Sequence, residues 1–380
     1  MSEPRVLVVH NRYRVAGGEE RAVELQLAAL RAARISHASL ERDSADSGRI
    51  RAANALLRGG DRPDDVLAAA HELRATVVHV HNMNPLFGPR ALEAARASGA
   101  SVVLHLHNFR LFCSIAVAFR DGATCFRCRG RFTLPGLALN CRGSLPESAA
   151  YTAGLALHQP SVMRSVDRFA TPSRFAAEQL ARLGVPRDRL DVIANYVPDA
   201  SQADPGAGAY ALFAGRLSTE KGPAVAIEAA ARSGVPLRVA GDGPLRGEVR
   251  ALAARTGAPA ELLGRVPSGD AADLIAGAAM VVVPSVGPEV MPFAALEAMA
   301  AGVPVVASLT GSLPEILGEE RCVPRRDAHA LAAAMTRLWG DADLRRAEGS
   351  ALRARARRRH SADRYTRELL TLYDRVQTHA

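Results

Sequence analysis

Short apolar runs recur along the chain, and between them lie longer stretches whose apolar positions return every three or four residues. The runs at 5–10 (RVLVVH), 76–81 (TVVHVH), 101–107 (SVVLHLH), 168–173 (RFATPS) and 190–197 (LDVIANYV) read as strands. So do those at 209–217 (AYALFAGRL), the start of 236–247 (PLRVAGDGPLRG), 262–266, 280–284 (MVVVP) and 303–307 (VPVVA). Helical periodicity fills 19–34, with Val23, Leu27 and Leu30 on one face, and then 89–98, 148–166, 174–183 and 271–279. It resumes from 327 onward and in a terminal helix, 362–376, with Tyr365, Leu369, Leu370, Leu372 and Tyr373. Strand alternating with helix predicts an α/β fold of parallel sheets covered on both faces. The stretch 198–208 (PDASQADPGAG) has no periodicity and reads as a linker, so the 380 residues divide into domains at 1–199 and 200–361, followed by the helix at 362–380.

Within this pattern, the crossover from 280–284 to 303–307 carries two carboxylates, Glu289 and Glu297, in an otherwise apolar unit. Pro292 suits the first helical turn, where its missing N–H would be an orphan anyway, and Gly302 suits the left-handed residue that ends the helix. Glu289 then precedes the helix. Glu297 lies inside it, where an unpaired carboxylate among apolar neighbours costs roughly 2 to 7 kcal/mol or more. A structural arginine would meet that demand as well as a ligand would. A second stretch bears on the choice: the strand 209–217 ends in Gly215-Arg216, and Glu220-Lys221-Gly222 precedes an Ala-rich helix. The 48 cations are 47 arginines and one lysine, Lys221. A compact ammonium beside a planar guanidinium makes a doubly positive turn suited to a diphosphate.

The pair G-R-L-x-x-E-K-G and E-x7-E-A-M-A-x-G-x-P-V-V resembles the family 4 retaining glycosyltransferases, whose GT-B fold sets two Rossmann-like, doubly wound parallel-sheet domains across a cleft. The resemblance implies a nucleotide-sugar donor (UDP- or GDP-sugar) and a glycan or lipid-linked acceptor, as in cell-envelope or exopolysaccharide synthesis. It implies that Arg216 and Lys221 hold the diphosphate, that Glu289 and His107 contact the sugar, and that Glu297 binds the ribose. Gly215, Gly17, Gly18 and Met291 would complete the donor site. Many members have Phe-Gly where this chain has Met291-Pro292, and proline offers no backbone N–H to phosphate. Gly311-Ser312-Leu313-Pro314-Glu315 resembles the family's G-G-x-P-E loop. No metal or other cofactor is implied for catalysis, and the terminal helix is expected to pack back on the first domain.

Several stretches carry readings of their own. Val15-Ala16-Gly17-Gly18 turns the first strand into its helix, either as a ligand-binding approach or as a plain tight turn. His105 and His107 end a strand on one face, His107 at the carboxyl end where open α/β sheets bind ligands. Residues 109–145 break the alternation and hold Cys113, Cys125, Cys128 and Cys141, spaced C-x11-C-x2-C-x12-C. Structural zinc, free thiols and a C-x-x-C redox pair are the three readings of that cluster. The segment 236–247 is one residue off the dinucleotide fingerprint, with Glu261 about 20 residues on. It keeps a dehydrogenase open as an alternative, and a non-catalytic, basic, zinc-bearing binding protein is the other.

Charge is uneven: residues 1–200 hold 26 arginines against 19 carboxylates, and the remainder 22 cations against 20. The basic first domain fits an anionic donor or a peripheral contact with lipid headgroups. Only 4% of residues are aromatic, with no arginine–aromatic interleaving, which argues against nucleic acid. The arginine run 353–359 reads as a solvated helix face. Without a signal peptide or an apolar run of about 18 residues, the chain is expected in the cytoplasm, at most peripheral to the membrane.

Overall fold

The computed structural model describes residues 3–14 and 17–378; Val15 and Ala16 of the glycine turn lie outside the described residues. The chain forms two compact units, one of Met1–Ala118, Cys125–Asn195 and Tyr365–Ala380, the other of Phe119–Thr124 and Tyr196–Arg364.

The first unit is built on strands β1 (Arg5–Arg12), β2 (Ser36–Asp43), β3 (Val77–Val80) and β4 (Ser101–His105). After a small hairpin of β5 (Phe119–Arg120) and β6 (Ala123–Thr124), β7 (Arg168–Thr171) and β8 (Leu190–Val192) complete the sheet. Its order is β2-β1-β3-β4-β7-β8, parallel throughout. Every residue of β3 and β4 is buried, which is why both read as unbroken apolar runs with histidine embedded in them.

The second unit has β9 (Ala211–Ala214), β10 (Leu237–Ala240), β11 (Ala260–Gly264), β12 (Met280–Val283), β13 (Val305–Ser308) and β14 (Cys322–Val323). Its parallel order is β11-β10-β9-β12-β13-β14. Phe213, Ile227, Val239, Val282 and Met335 pack together at its centre. Full burial of a side chain of this size stabilises by about 1.5–3 kcal/mol. In both sheets the chain first moves to one edge and then crosses to the other side. Each therefore has a switch point, at β1/β3 and at β9/β12, where such sheets bind ligands.

Three expectations need correction. Strand β2 and the helices Arg49–Arg58 and Asp64–Leu73 escaped the sequence pattern. An edge strand exposed along much of its length (SHASLERD) shows little apolar contrast. The stretch 198–208 is docked on the second unit rather than loose: Ala203 N donates to Ala301 O, and the buried Arg345 donates to the carbonyls of Pro205 and Gly206. The arginine run is not simply solvated either. Arg353 is buried and donates to Ala200 O, while Arg355 donates to the carbonyls of Ile316 and Glu315. From Tyr365 on, the helix Ala362–Gln377 belongs to the first unit, where Tyr373 Oη lies 2.8 Å from His79 Nδ1 and 3.1 Å from Gln26 Nε2.

Candidate active sites at the two switch points

In the second unit, Lys221 and Glu289, 68 residues apart in sequence, meet in a two-pronged ion pair. Lys221 Nζ lies 2.7 Å from Oε1 and 2.9 Å from Oε2. Ser285 Oγ also donates to Oε1 at 2.5 Å, so the buried carboxylate has three bonds. Two glycines make the approach possible. Gly222 has φ +66°, and a Cβ there would sit 2.1 Å from Pro284 O; Gly311 has φ +58°, and a Cβ would fall 2.3 Å from Glu289 N. The loop after β12 is thus clamped from both sides, with Ser312 N donating to Glu289 O and the amides of Val286 and Gly287 donating to Glu220 O. Phe119 of the hairpin packs where a side chain on Gly287 would be. Neither Ser285 nor Phe119 was anticipated; a serine four residues before a buried glutamate was the available signal for the first.

Arg216 is exposed at the end of β9, with no ion pair among the described residues. Gly215 N donates to Ala240 O, and Met291 is buried beside Pro292, which caps the helix Phe293–Ala301 and is not inside it. Gly302 ends that helix in the left-handed conformation, as expected. Glu297 is half-buried rather than enclosed, which eases the desolvation cost expected of it. The near-fingerprint at 241–247 offers no open phosphate cradle: Gly241 N donates to Gly264 O and Gly243 N to Asp242 Oδ1. Its turn supports the end of β9 instead, with Leu217 N donating to Asp242 O and Leu245 N to Leu217 O.

At the first unit's switch point the helix Gly18–Ala32 starts behind Gly17, whose N–H donates to Glu20 Oε2 at 2.7 Å. Burial alone would raise the Glu20 pKa, but the neighbouring His10 ring, with Nε2 3.7 Å away, and hydrogen bonds from the amides of Tyr13 and Gly17 hold it below the usual range. The Gly17 amide is therefore engaged by the chain's own carboxylate, while Gly18 is exposed. Beside it, burial pushes the Glu19 carboxyl up; Tyr13 Oη donates to it at 2.7 Å and Asn108 Nδ2 at 3.0 Å. The Arg110 guanidinium stacks over the Tyr13 ring at 4.9 Å.

Behind this cluster four histidines stack. Register pairs Val80 with Leu104, so the alternation H-x-H running off the end of β3 and again off the end of β4 places His79, His81, His105 and His107 on one face. His105 and His107 have centroids 4.2 Å apart and His81 and His107 5.1 Å, both nearly parallel. Burial, with added repulsion from neighbouring rings, drives His79, His81 and His107 well below the ordinary imidazole pKa; burial alone takes His105 to about 3. The stack is neutral.

Ring nitrogens of His79, His81 and His105 lie within 4.8 Å of one another, the only such trio of possible metal ligands among the described residues. It is a poor metal site, because a lone pair lies in its ring plane and the rings are stacked at interplanar angles of 12° and 18° across His81. Such lone pairs run side by side and do not converge at about 2.1 Å on one ion. The protons can be placed instead. His81 Nδ1 and His107 Nε2 are 2.8 Å apart, and His81 Nε2 is buried without a partner. If His107 donated, His81 would carry its single proton on that buried nitrogen, an orphan N–H costing about 1–3 kcal/mol. With His81 Nδ1–H donating, no donor is orphaned and His107 holds its proton on Nδ1. His81 thereby becomes the residue that orients His107.

Cys113, Cys125, Cys128 and Cys141 are half-buried and form no disulfide among the described residues. Burial, together with Cys113, Cys141 and Cys125 nearby, raises the Cys128 pKa to about 11. The four share an electrostatic neighbourhood without converging as closely as the histidine nitrogens do.

Comparison with known proteins accords with this geometry. Residues 6–196 match the glycosyl transferase 4-like domain, and residues 208–341 match the glycosyl transferases group 1 domain. An exopolysaccharide phosphotransferase of Streptomyces coelicolor is 36% identical over 179 residues, covering 44% of this chain and 19% of that protein. A D-inositol 3-phosphate glycosyltransferase of Pseudarthrobacter chlorophenolicus is 32% identical over 197 residues, covering 46% and 45%. The chain spans less than half the length of the curated relatives it matches. Among solved structures, Anabaena HepE in complex with UDP superposes with a TM-score of 0.67 at 17% identity, over 97% of this chain and 98% of that one. The fold is GT-B, and the chain belongs to the group 1 glycosyltransferases, with a first domain of the glycosyl transferase 4-like type.

Proposed function

We propose that this chain is a retaining glycosyltransferase that moves a sugar from a nucleoside-diphosphate donor to a glycan or lipid-linked acceptor in cell-envelope or exopolysaccharide synthesis. The observation that carries the reading is the second unit's switch point, where Lys221 is held by buried Glu289 on the turn that follows the exposed Arg216. An arriving diphosphate finds one cation already oriented and a second with no ion pair among the described residues. As the C1–O bond to the diphosphate breaks, negative charge grows on its oxygens, and both cations stabilise that charge in place. The acceptor oxygen bonds to C1 from the face the diphosphate leaves, and a phosphate oxygen takes its proton. Glu289 steadies the sugar, Glu297 binds ribose hydroxyls, and neutral His107 donates from Nδ1 to a sugar oxygen.

The family membership and the UDP complex of HepE support the donor class. A structural zinc ion at Cys113, Cys125, Cys128 and Cys141 is part of this reading and rests on their C-x-x-C spacing alone. The test is a panel of UDP- and GDP-sugars in thermal-shift and donor-hydrolysis assays, with NAD alongside. Stabilisation and hydrolysis with one nucleotide sugar are expected. Stabilisation by NAD alone would overturn the reading.

A further inference from the structure

Eight large apolar side chains are conspicuously exposed among the described residues, and six belong to one region of the first unit: Ile50, Leu57, Phe132, Leu134, Leu145 and Leu157. Single exposed leucines are ordinary, but these sit on elements bonded to one another. His158 Nε2 donates to Leu57 O, Arg131 Nε donates to Ala156 O, and Thr133 Oγ1 donates to Thr152 O. The helix Arg49–Arg58, residues 131–134 and the helix Leu145–Ser165 are therefore neighbours, and Leu157, 60% exposed, lies in sequence between Ala156, bonded to Arg131, and His158, bonded to Leu57 O.

The charge on this face is mostly positive. Residues 122–146 contain four arginines and no carboxylate. Arg58, Arg127, Arg129, Arg131 and Arg164 are exposed and make no ion pair among the described residues. Of the neighbouring carboxylates, Asp61 is paired with Arg51 and Glu147 with Arg142, while the exposed Glu93 accepts from Ser161 Oγ and is outnumbered by the five arginines.

We propose that this face lies on an anionic lipid surface, the leucines and Phe132 entering the acyl boundary and the arginines meeting headgroup phosphates. A second copy of the chain is a poor occupant, because a symmetric contact would set arginine against arginine. The apolar groups are also spread among the cations, whereas a protein interface gathers them in a dry centre. The purpose of such a contact, presenting a lipid-linked acceptor to the enzyme, rests on the function proposed above; the contact itself does not.

The experiment is flotation of the purified full chain with vesicles of phosphatidylcholine alone or mixed with phosphatidylglycerol, at low and high salt. The wild type should float only with the anionic vesicles and lose that binding in high salt. Arg131→Ala and Arg58→Ala should each weaken partitioning about fivefold. Leu157→Asp should abolish it at unchanged thermal stability and donor hydrolysis. No flotation of the wild type, or equal flotation of Leu157→Asp, overturns the proposal. So does a concentration-dependent dimer that Leu157→Asp dissociates, or binding to an acidic protein with no preference for anionic vesicles. Flotation by a chain that hydrolyses no nucleotide sugar would uphold this contact and overturn the function.

Discussion

The two switch points share a sheet winding but handle polar groups in opposite ways. In the second unit a charge is kept: Glu289 is buried, yet Lys221 and Ser285 supply three bonds to its carboxylate. In the first unit's histidine stack the charge is given up, since among the described residues the rings of His79, His81, His105 and His107 hydrogen-bond only to one another and to Tyr373 and remain neutral. Burial favours a neutral group unless an opposite charge is built beside it. The same architecture thus yields one site suited to a diphosphate and another suited to uncharged hydroxyls.

Removing the charged site should have the largest effect. Lys221→Ala and Arg216→Ala are each expected to lower turnover about 100- to 1,000-fold, the usual scale for one preorganised stabilising donor, with the fold retained. Lys221→Arg should also fall, because a planar fork cannot replace a point charge held between Glu289 and a phosphate. Steady-state kinetics at saturating donor decide this, and near-wild-type turnover in either alanine variant would remove the diphosphate role.

The neutral site should show itself in stability against pH. The histidines' folded pKa values lie below the unfolded value of about 6.5, so the unfolded chain takes up protons first. Their contribution is intact above pH 6.5 and is lost as pH falls, by up to about 1.4 kcal/mol per pH unit for each group. Melting temperature followed downward from pH 7 should drop steeply, and His79→Leu should shallow that slope. Glu19, raised by burial, works in the opposite direction. A flat profile would mean that the stack is solvated.

Smaller effects separate roles within the sites. Glu297→Gln should weaken nucleotide binding in calorimetry, whereas Glu289→Gln should spare affinity and damage transfer. Equal losses of affinity would overturn that division. His81→Phe should free the His107 tautomer, read as a change in the histidine nitrogen–proton pattern in NMR. His81→Asn, which keeps a donor near the Nδ1 position, should restore it. The least effect on nucleotide affinity is expected at the cysteines. About one zinc per chain, lost in Cys125→Ser with affinity nearly unchanged, is what a four-thiolate site requires. Four freely titratable thiols and no zinc would exclude it.

Much of this was legible because its signals are local. The β12 to β13 crossover, the glycine ending its helix and the lone lysine after β9 each sit within a few residues of their structural cause. Alternating apolar runs determined two parallel sheets, since strands buried on both faces leave no polar positions. What lies at an edge did not show: β2 is half solvated and lacks contrast, and Arg353 reads as surface until Ala200 O is found beside it. Pairing was likewise decided only in three dimensions. Nothing in the order of residues says that Lys221 grips Glu289, or that His81 and not solvent holds His107. Those contacts join residues 68 and 26 positions apart, brought together by the register of parallel strands and by loops that close only where Gly222 and Gly311 admit the neighbouring backbone.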